Sequence, residues 1–177
     1  MNKFIQVLVL ILFISNTTDA QTKEVDDNGY TVKVGQKAPD FMIKEAGGKS
    51  YKLSDLKGKV VMLQFTASWC SVCRQEMPFI EKEIWNEKKT EGLVVIGVDR
   101  DEPLEKVLKF QKDIGVSYPL ALDPGADIFG LFAVKEAGVT RNVIIDRSGK
   151  IIFLTRLFER EEFNKMKEVI FTELAKM

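Results

Sequence analysis

The 177-residue sequence contains no histidine. That absence excludes a Ser-His-Asp triad, Cys-His proteolysis, a histidine zinc site and CxxCH haem attachment. Excess charge of either sign is also missing, because 26 Lys and Arg residues balance 26 Asp and Glu. With no basic surplus to hold a polyanion, no nucleic-acid partner is expected. The chain is too short for a second catalytic domain, since one domain takes about 150 residues. Internal repeats and low-complexity tracts are absent. Cysteine is scarce, with only Cys70 and Cys73, so a four-ligand zinc site has no second CxxC to complete it. Apolar side chains are plentiful: 45% of residues are hydrophobic, including 12 Phe. This is ordinary globular composition and implies a packed core.

The chain opens with a short basic start, Met1-Asn2-Lys3, and an almost purely apolar run from Phe4 to Ile14. A polar stretch then ends in Thr18-Asp19-Ala20. This order reads as a signal peptide over residues 1–20, cleaved after Ala20. The alternative is an uncleaved anchor, but the run is shorter than the about 20 residues that span a bilayer. Export would place both cysteines in an oxidising compartment such as the bacterial periplasm. Residues 21–34 are polar and read as a flexible leader ending in a short edge strand, Tyr30 to Val34. The folded domain is expected over residues 35–177.

Within that domain, Phe41-Met42-Ile43 and Ser50 to Leu53 flank Gly47-Gly48 as a hairpin. Lys59 to Thr66 and Leu93 to Val98 are apolar runs of strand length, buried on both faces. Between them Ser71 to Lys89 has helical periodicity, with a bend expected near Pro78. A helix over Pro103 to Ile114, a strand over Tyr118 to Leu122 and a short helix over Ala126 to Phe132 follow. Val143 to Ile145 and Ile151 to Leu154 form a second hairpin. A final helix near Glu161 to Lys176 turns Phe163, Met166, Val169, Ile170 and Leu174 inward. The sum is an α/β three-layer sandwich with a mixed central sheet. The acidic run Asp99-Arg100-Asp101-Glu102 reads as solvated surface rather than a cation site.

The chemistry concentrates at Trp69-Cys70-Ser71-Val72-Cys73. A CxxC that follows a buried strand and opens a helix places its first sulfur among unpaired N–H groups, which favour the thiolate. Cys70 is therefore the candidate nucleophile, and Cys73, one turn further in, the resolving thiol. A purely structural bridge across so short a loop is a weak staple, well below the ~3 kcal/mol of a 15-residue loop.

The stretch from Gly35 to Ile152, with GQKAPDF, LSDLKGKVVMLQFTASWCSVCRQEMP, YPLALDP and NVIIDRSGKI, resembles the TlpA/ResA-like branch of the thioredoxin superfamily. The resemblance implies a thioredoxin-like fold with a helix-strand insert before the residue 140 loop. It also implies an extracytoplasmic thiol:disulfide oxidoreductase acting on oxidised client proteins and kept reduced by a membrane-bound thiol donor. Glu76 lies three residues after Cys73 on one helical face, where its carboxylate can approach the sulfur. Read from spacing alone it is equally a proton acceptor or an ordinary solvated glutamate; its match to the family's active-site glutamate assigns the first role. Thioredoxins proper carry a buried acid where this chain has Gln64, so proton handling falls to Glu76. Trp69 is read as part core and part docking surface. The family's cis-proline before the IID strand is replaced by Thr140. The Val139-Thr140 bond is expected to be trans, with the loop beside Cys70 and the Thr140 backbone offering hydrogen bonds to a client.

With no imidazole in the Ser71-Val72 dipeptide to stabilise the thiolate, the pair is expected to act as a reductant. Two alternatives compete. A peroxiredoxin-like peroxidase would want threonine three residues and proline seven residues before the nucleophile, where Ala67 and Leu63 stand. A non-enzymatic dithiol module or metal chaperone would use both thiolates for a soft ion. No cofactor and no resident metal are expected, and the protein is read as a monomer.

Overall fold

The computed structural model describes residues 24–176. The expected signal peptide, residues 1–20, and the first leader residues, 21–23, lie outside the described residues. A small antiparallel hairpin, β1 (Met42–Lys44) and β2 (Ser50–Lys52), precedes a 3-10 turn at Leu53–Leu56. The central strand β3 (Val60–Thr66) is buried at every position, as its unbroken apolar run requires. It leads into α1 (Ser71–Ile80), which passes through a wide π turn at Glu81–Trp85 into the short α2 (Asn86–Lys88). β4 (Leu93–Arg100), α3 (Leu104–Ile114), β5 (Leu120–Asp123) and the short α4 (Phe129–Phe132) follow. The chain closes with β6 (Arg141–Ile145), β7 (Ile151–Arg156) and α5 (Arg160–Ala175).

The main sheet runs β5-β4-β3-β6-β7, with β5, β4 and β3 parallel and β6 and β7 antiparallel. Alternation along β3 divides the core. Val60 and Met62 join Met77, Ile80, Val107, Phe110, Phe163 and Met166, the buried faces of α1, α3 and α5. Val61, Leu63 and Phe65 join Ile43, Phe129 and Phe132 on the other face. The α3-β5 insert, with α4, stands between β4 and the residue 140 loop, where it was expected.

Several local expectations are corrected. The helix continues through Pro78, whose missing N–H removes one helical bond, and a π turn follows at Glu81–Trp85. Val169 is half-buried rather than inward-facing. The largest correction concerns the leader. It is packed at Tyr30 and Val32, both buried, while Asp26 to Asn28, Lys33 and Val34 stay exposed, and Asp26 Oδ1 accepts the Asn28 and Tyr30 N–H groups. Instead of an edge strand, Tyr30 forms a single bridge to Ala133, while its hydroxyl donates to the carbonyls of Asn142, at 3.2 Å, and Thr155, at 2.6 Å.

Candidate active site

Cys70 is the N-cap of α1. Its extended backbone (φ −83°, ψ 106°) lets Sγ accept the Cys73 N–H at 3.1 Å. The two cysteines are joined as a disulfide, with Cα atoms 5.3 Å apart. Cys73 is fully enclosed and Cys70 retains 8% exposure, while Trp69 beside it is 62% exposed. The outer sulfur therefore sits among helix-end N–H groups that favour a thiolate, and the inner one in a dry environment that opposes it. Trp69, read as part core, stands mainly in solvent.

Thr140 closes the site from the other side. Its hydroxyl lies 3.1 Å from Cys70 Sγ and 3.3 Å from Cys73 Sγ. No peptide bond among the described residues is cis, so the Val139-Thr140 bond is trans. The side chains of both residues are buried, and the Thr140 carbonyl accepts the Leu157 N–H at 3.0 Å. That carbonyl is consequently committed within the fold, contrary to the expectation that the Thr140 backbone stands ready for a client.

Behind the disulfide lies a polar track across an otherwise apolar sheet. Gln64, Asn142 and Thr155 are neighbours in register on β3, β6 and β7. Glu76 is buried above them, accepting from Asn142 Nδ2 at 2.7 Å and Gln64 Nε2 at 3.1 Å. Tyr118 donates to Gln64 Oε1 at 2.8 Å, and Asn142 Nδ2 also reaches Thr155 Oγ1 at 2.9 Å. Gly97 makes room for this: a Cβ there would collide with Leu120 and press on the Tyr118 ring at 3.4 Å. Burial raises Glu76 to about 7, although the Asn142 and Gln64 amides favour its carboxylate. With the cysteines joined as a disulfide, the hydrogen bonds of both carboxylate oxygens go to Asn142 and Gln64 rather than to a sulfur. The polar members of the track interrupt apolar strands, and that interruption was the available sequence signal for them.

A second acidic group holds the loop before Cys70. Glu102 accepts Ser68 N–H at 2.5 Å and Ser68 Oγ at 2.7 Å, and pairs with Lys106. Burial pushes Glu102 up, but the Lys106 and Ser68 bonds outweigh it and hold the carboxyl below its ordinary value. Asp99, fully buried, meets no donor among the described residues. Burial first, then the facing Glu102 carboxylate, raises it to about 8, with Asp123 adding to this and Lys106 opposing it. The solvated-surface reading of this acidic run is thus wrong for Asp99 and Glu102, because β4 continues to Arg100 and carries Asp99 into the core.

Asp99 gives a pH-dependent stability. Its folded value lies above the unfolded one, so the native state holds a proton that the unfolded chain releases between about pH 4 and pH 8. Stability is lost as pH rises through that window, at up to about 1.4 kcal/mol per pH unit. Asp99→Asn, which mimics the protonated side chain, should gain on the wild type by that slope from pH 5 to 8 in urea denaturation. Parallel stability curves would show that Asp99 is not protonated in the fold.

A CxxC at the start of a helix, following the central strand of a mixed sheet with this strand order, defines a thioredoxin-fold thiol:disulfide oxidoreductase. The AhpC/TSA family model matches residues 34–154. The thiol-disulfide oxidoreductase ResA of Bacillus cereus is 35% identical over 121 residues, 68% of each chain. ResA of Geobacillus thermodenitrificans is 30% identical over 140 residues, 78% of this chain and 79% of the relative. Among solved structures, a candidate protein disulfide isomerase from Bacteroides thetaiotaomicron is 60% identical with a TM-score of 0.81, covering 84% of this chain and 94% of that one. A candidate thiol:disulfide interchange protein DsbE from Chlorobium tepidum has 30% identity and a TM-score of 0.73, over 81% and 99% of the two chains. The chain belongs to the AhpC/TSA family and, within the thioredoxin superfamily, to its ResA/TlpA-like members. It is an oxidoreductase of thiols and disulfides.

Proposed function

We propose that this oxidoreductase is exported and reduces disulfides of client proteins outside the cytoplasm, as a monomer, with a membrane-bound thiol donor restoring its dithiol. The observation that carries the reading is the asymmetry of the pair: Cys70 Sγ caps α1 and keeps some exposure, whereas Cys73 is enclosed. The Cys70 thiolate attacks a client disulfide, forming a mixed disulfide and releasing the first client sulfur. Cys73 then gives up its proton, attacks Cys70 Sγ and releases the second client sulfur, so two electrons pass from the dithiol to the client. Glu76, one helical turn on, receives the Cys73 proton. Trp69, the Val139 backbone and the Thr140 N–H form the client-facing rim.

The sequence start supports export, and no helix among the described residues is long and apolar enough to cross a membrane. The thioredoxin-like unit is proposed to be the whole of residues 35–177 together with the packed part of the leader. Ala67 and Leu63 occupy the positions where a peroxidase would need threonine and proline, which favours disulfide reduction over peroxide turnover. The test is equilibration with glutathione redox buffers. The midpoint is expected nearer the ~−270 mV of thioredoxin than the ~−120 mV of DsbA; a value at the oxidising end overturns the reductant direction.

A further inference from the structure

Thr140 makes a contact that its proposed docking role does not use. Its single hydroxyl is within hydrogen-bond reach of both redox sulfurs, at 3.1 and 3.3 Å. A hydroxyl has one proton to donate and lone pairs with which to accept. A proline at this position would have no side-chain donor at all. When the disulfide is reduced, a hydroxyl so placed can bridge the two sulfurs when one is ionised. It accepts from one S–H and donates to the other sulfur as thiolate.

We propose that Thr140 is a catalytic residue that fixes which sulfur ionises, its hydroxyl accepting from the Cys73 thiol and donating to the Cys70 thiolate. This rests on the proposed division of roles between the cysteines. The direction follows from the rest of the site. Cys70 Sγ already accepts the Cys73 N–H at 3.1 Å, so a second donor adds to a sulfur prepared for negative charge. Cys73 is enclosed, where a thiol is favoured over a thiolate.

Other charged groups around the pair are engaged elsewhere. Glu76 on α1 bonds Gln64 and Asn142. Glu102 bonds Ser68 and Lys106. Arg141 turns its guanidinium to the Gly138 and Asn28 carbonyls, and Arg74 reaches the Ser68 carbonyl. Among the described residues no charged side chain hydrogen-bonds either sulfur, which leaves the Thr140 hydroxyl as their side-chain partner.

The experiment is alkylation of the reduced full-length protein by iodoacetamide from pH 5 to 10, with Cys70 and Cys73 resolved by peptide mass. Wild type is expected to show Cys70 reacting at lower pH than Cys73. Thr140→Val keeps the shape and removes the hydroxyl. It should lower the Cys70 thiolate fraction at neutral pH by about tenfold, the loss of one hydrogen bond to a charged group. Thr140→Ala, which crowds nothing, carries the same expectation, and Thr140→Ser should restore the wild-type profile. If folded Thr140→Val or Thr140→Ala keeps the wild-type Cys70 profile, the proposal fails. If wild-type Cys70 and Cys73 alkylate alike, the division of roles itself fails, an outcome distinguishable from the first.

Discussion

Cys70→Ser is expected to abolish disulfide reduction, a loss of roughly ten-thousandfold or more, because it removes the only sulfur placed to attack. Cys73→Ser should leave that attack intact and stall the cycle after it. The variant should then accumulate mixed disulfides with client proteins, visible as reducible adducts on non-reducing gels. The two substitutions differ because the sulfurs differ: one caps a helix at the edge of solvent and the other has no exposure. Adducts on Cys70→Ser rather than on Cys73→Ser would reverse the assignment.

Glu76→Gln should slow exchange by about ten- to a thousandfold while the fold persists, as loss of a positioned proton acceptor requires. Resolution in the wild type should quicken as pH rises through about 7, where Glu76 becomes a carboxylate, and this limb should vanish in the variant. Glutamine fits the space but brings a donor toward the Gln64 and Asn142 amides, both of which already donate. The fold can absorb the conflict, because Asn142 Oδ1 has no partner among the described residues and turning that amide over presents an acceptor. A stopped-flow pH profile decides the matter. An unchanged limb near 7 would assign the proton to another group and leave Glu76 a buried structural acid.

The strands and helices that make the layers were legible because their signals are local. Val60 to Thr66 and Leu93 to Val98 are apolar without interruption, and α5 repeats its core residues with helical spacing. The pair Cys70 and Cys73 was legible for the same reason, as strand, CxxC and helix are contiguous. What escaped depends on contacts between distant residues. The Thr140 hydroxyl meets sulfurs some 70 positions away, and only the folded loop brings it there. Glu76 was placed on the correct helical face, yet its partners Gln64 and Asn142 come from two neighbouring strands. Asp99 looked solvated because charge after a strand normally is, and one further turn of the pleat within β4 carried it inside. Tyr30 and Val32 were hidden by the polar residues around them.

The Tyr30 hydroxyl bonds to carbonyls 112 and 125 residues further along the chain. A chain synthesised from its N-terminus therefore presents Tyr30 long before Asn142 and Thr155 exist. Closing a loop of that length carries an entropic cost that local helices do not face. The Tyr30 hydroxyl must wait for these partners until the last hairpin has emerged. The Tyr30 contact thus depends on arrival order, an early part of the chain being secured by residues that arrive late.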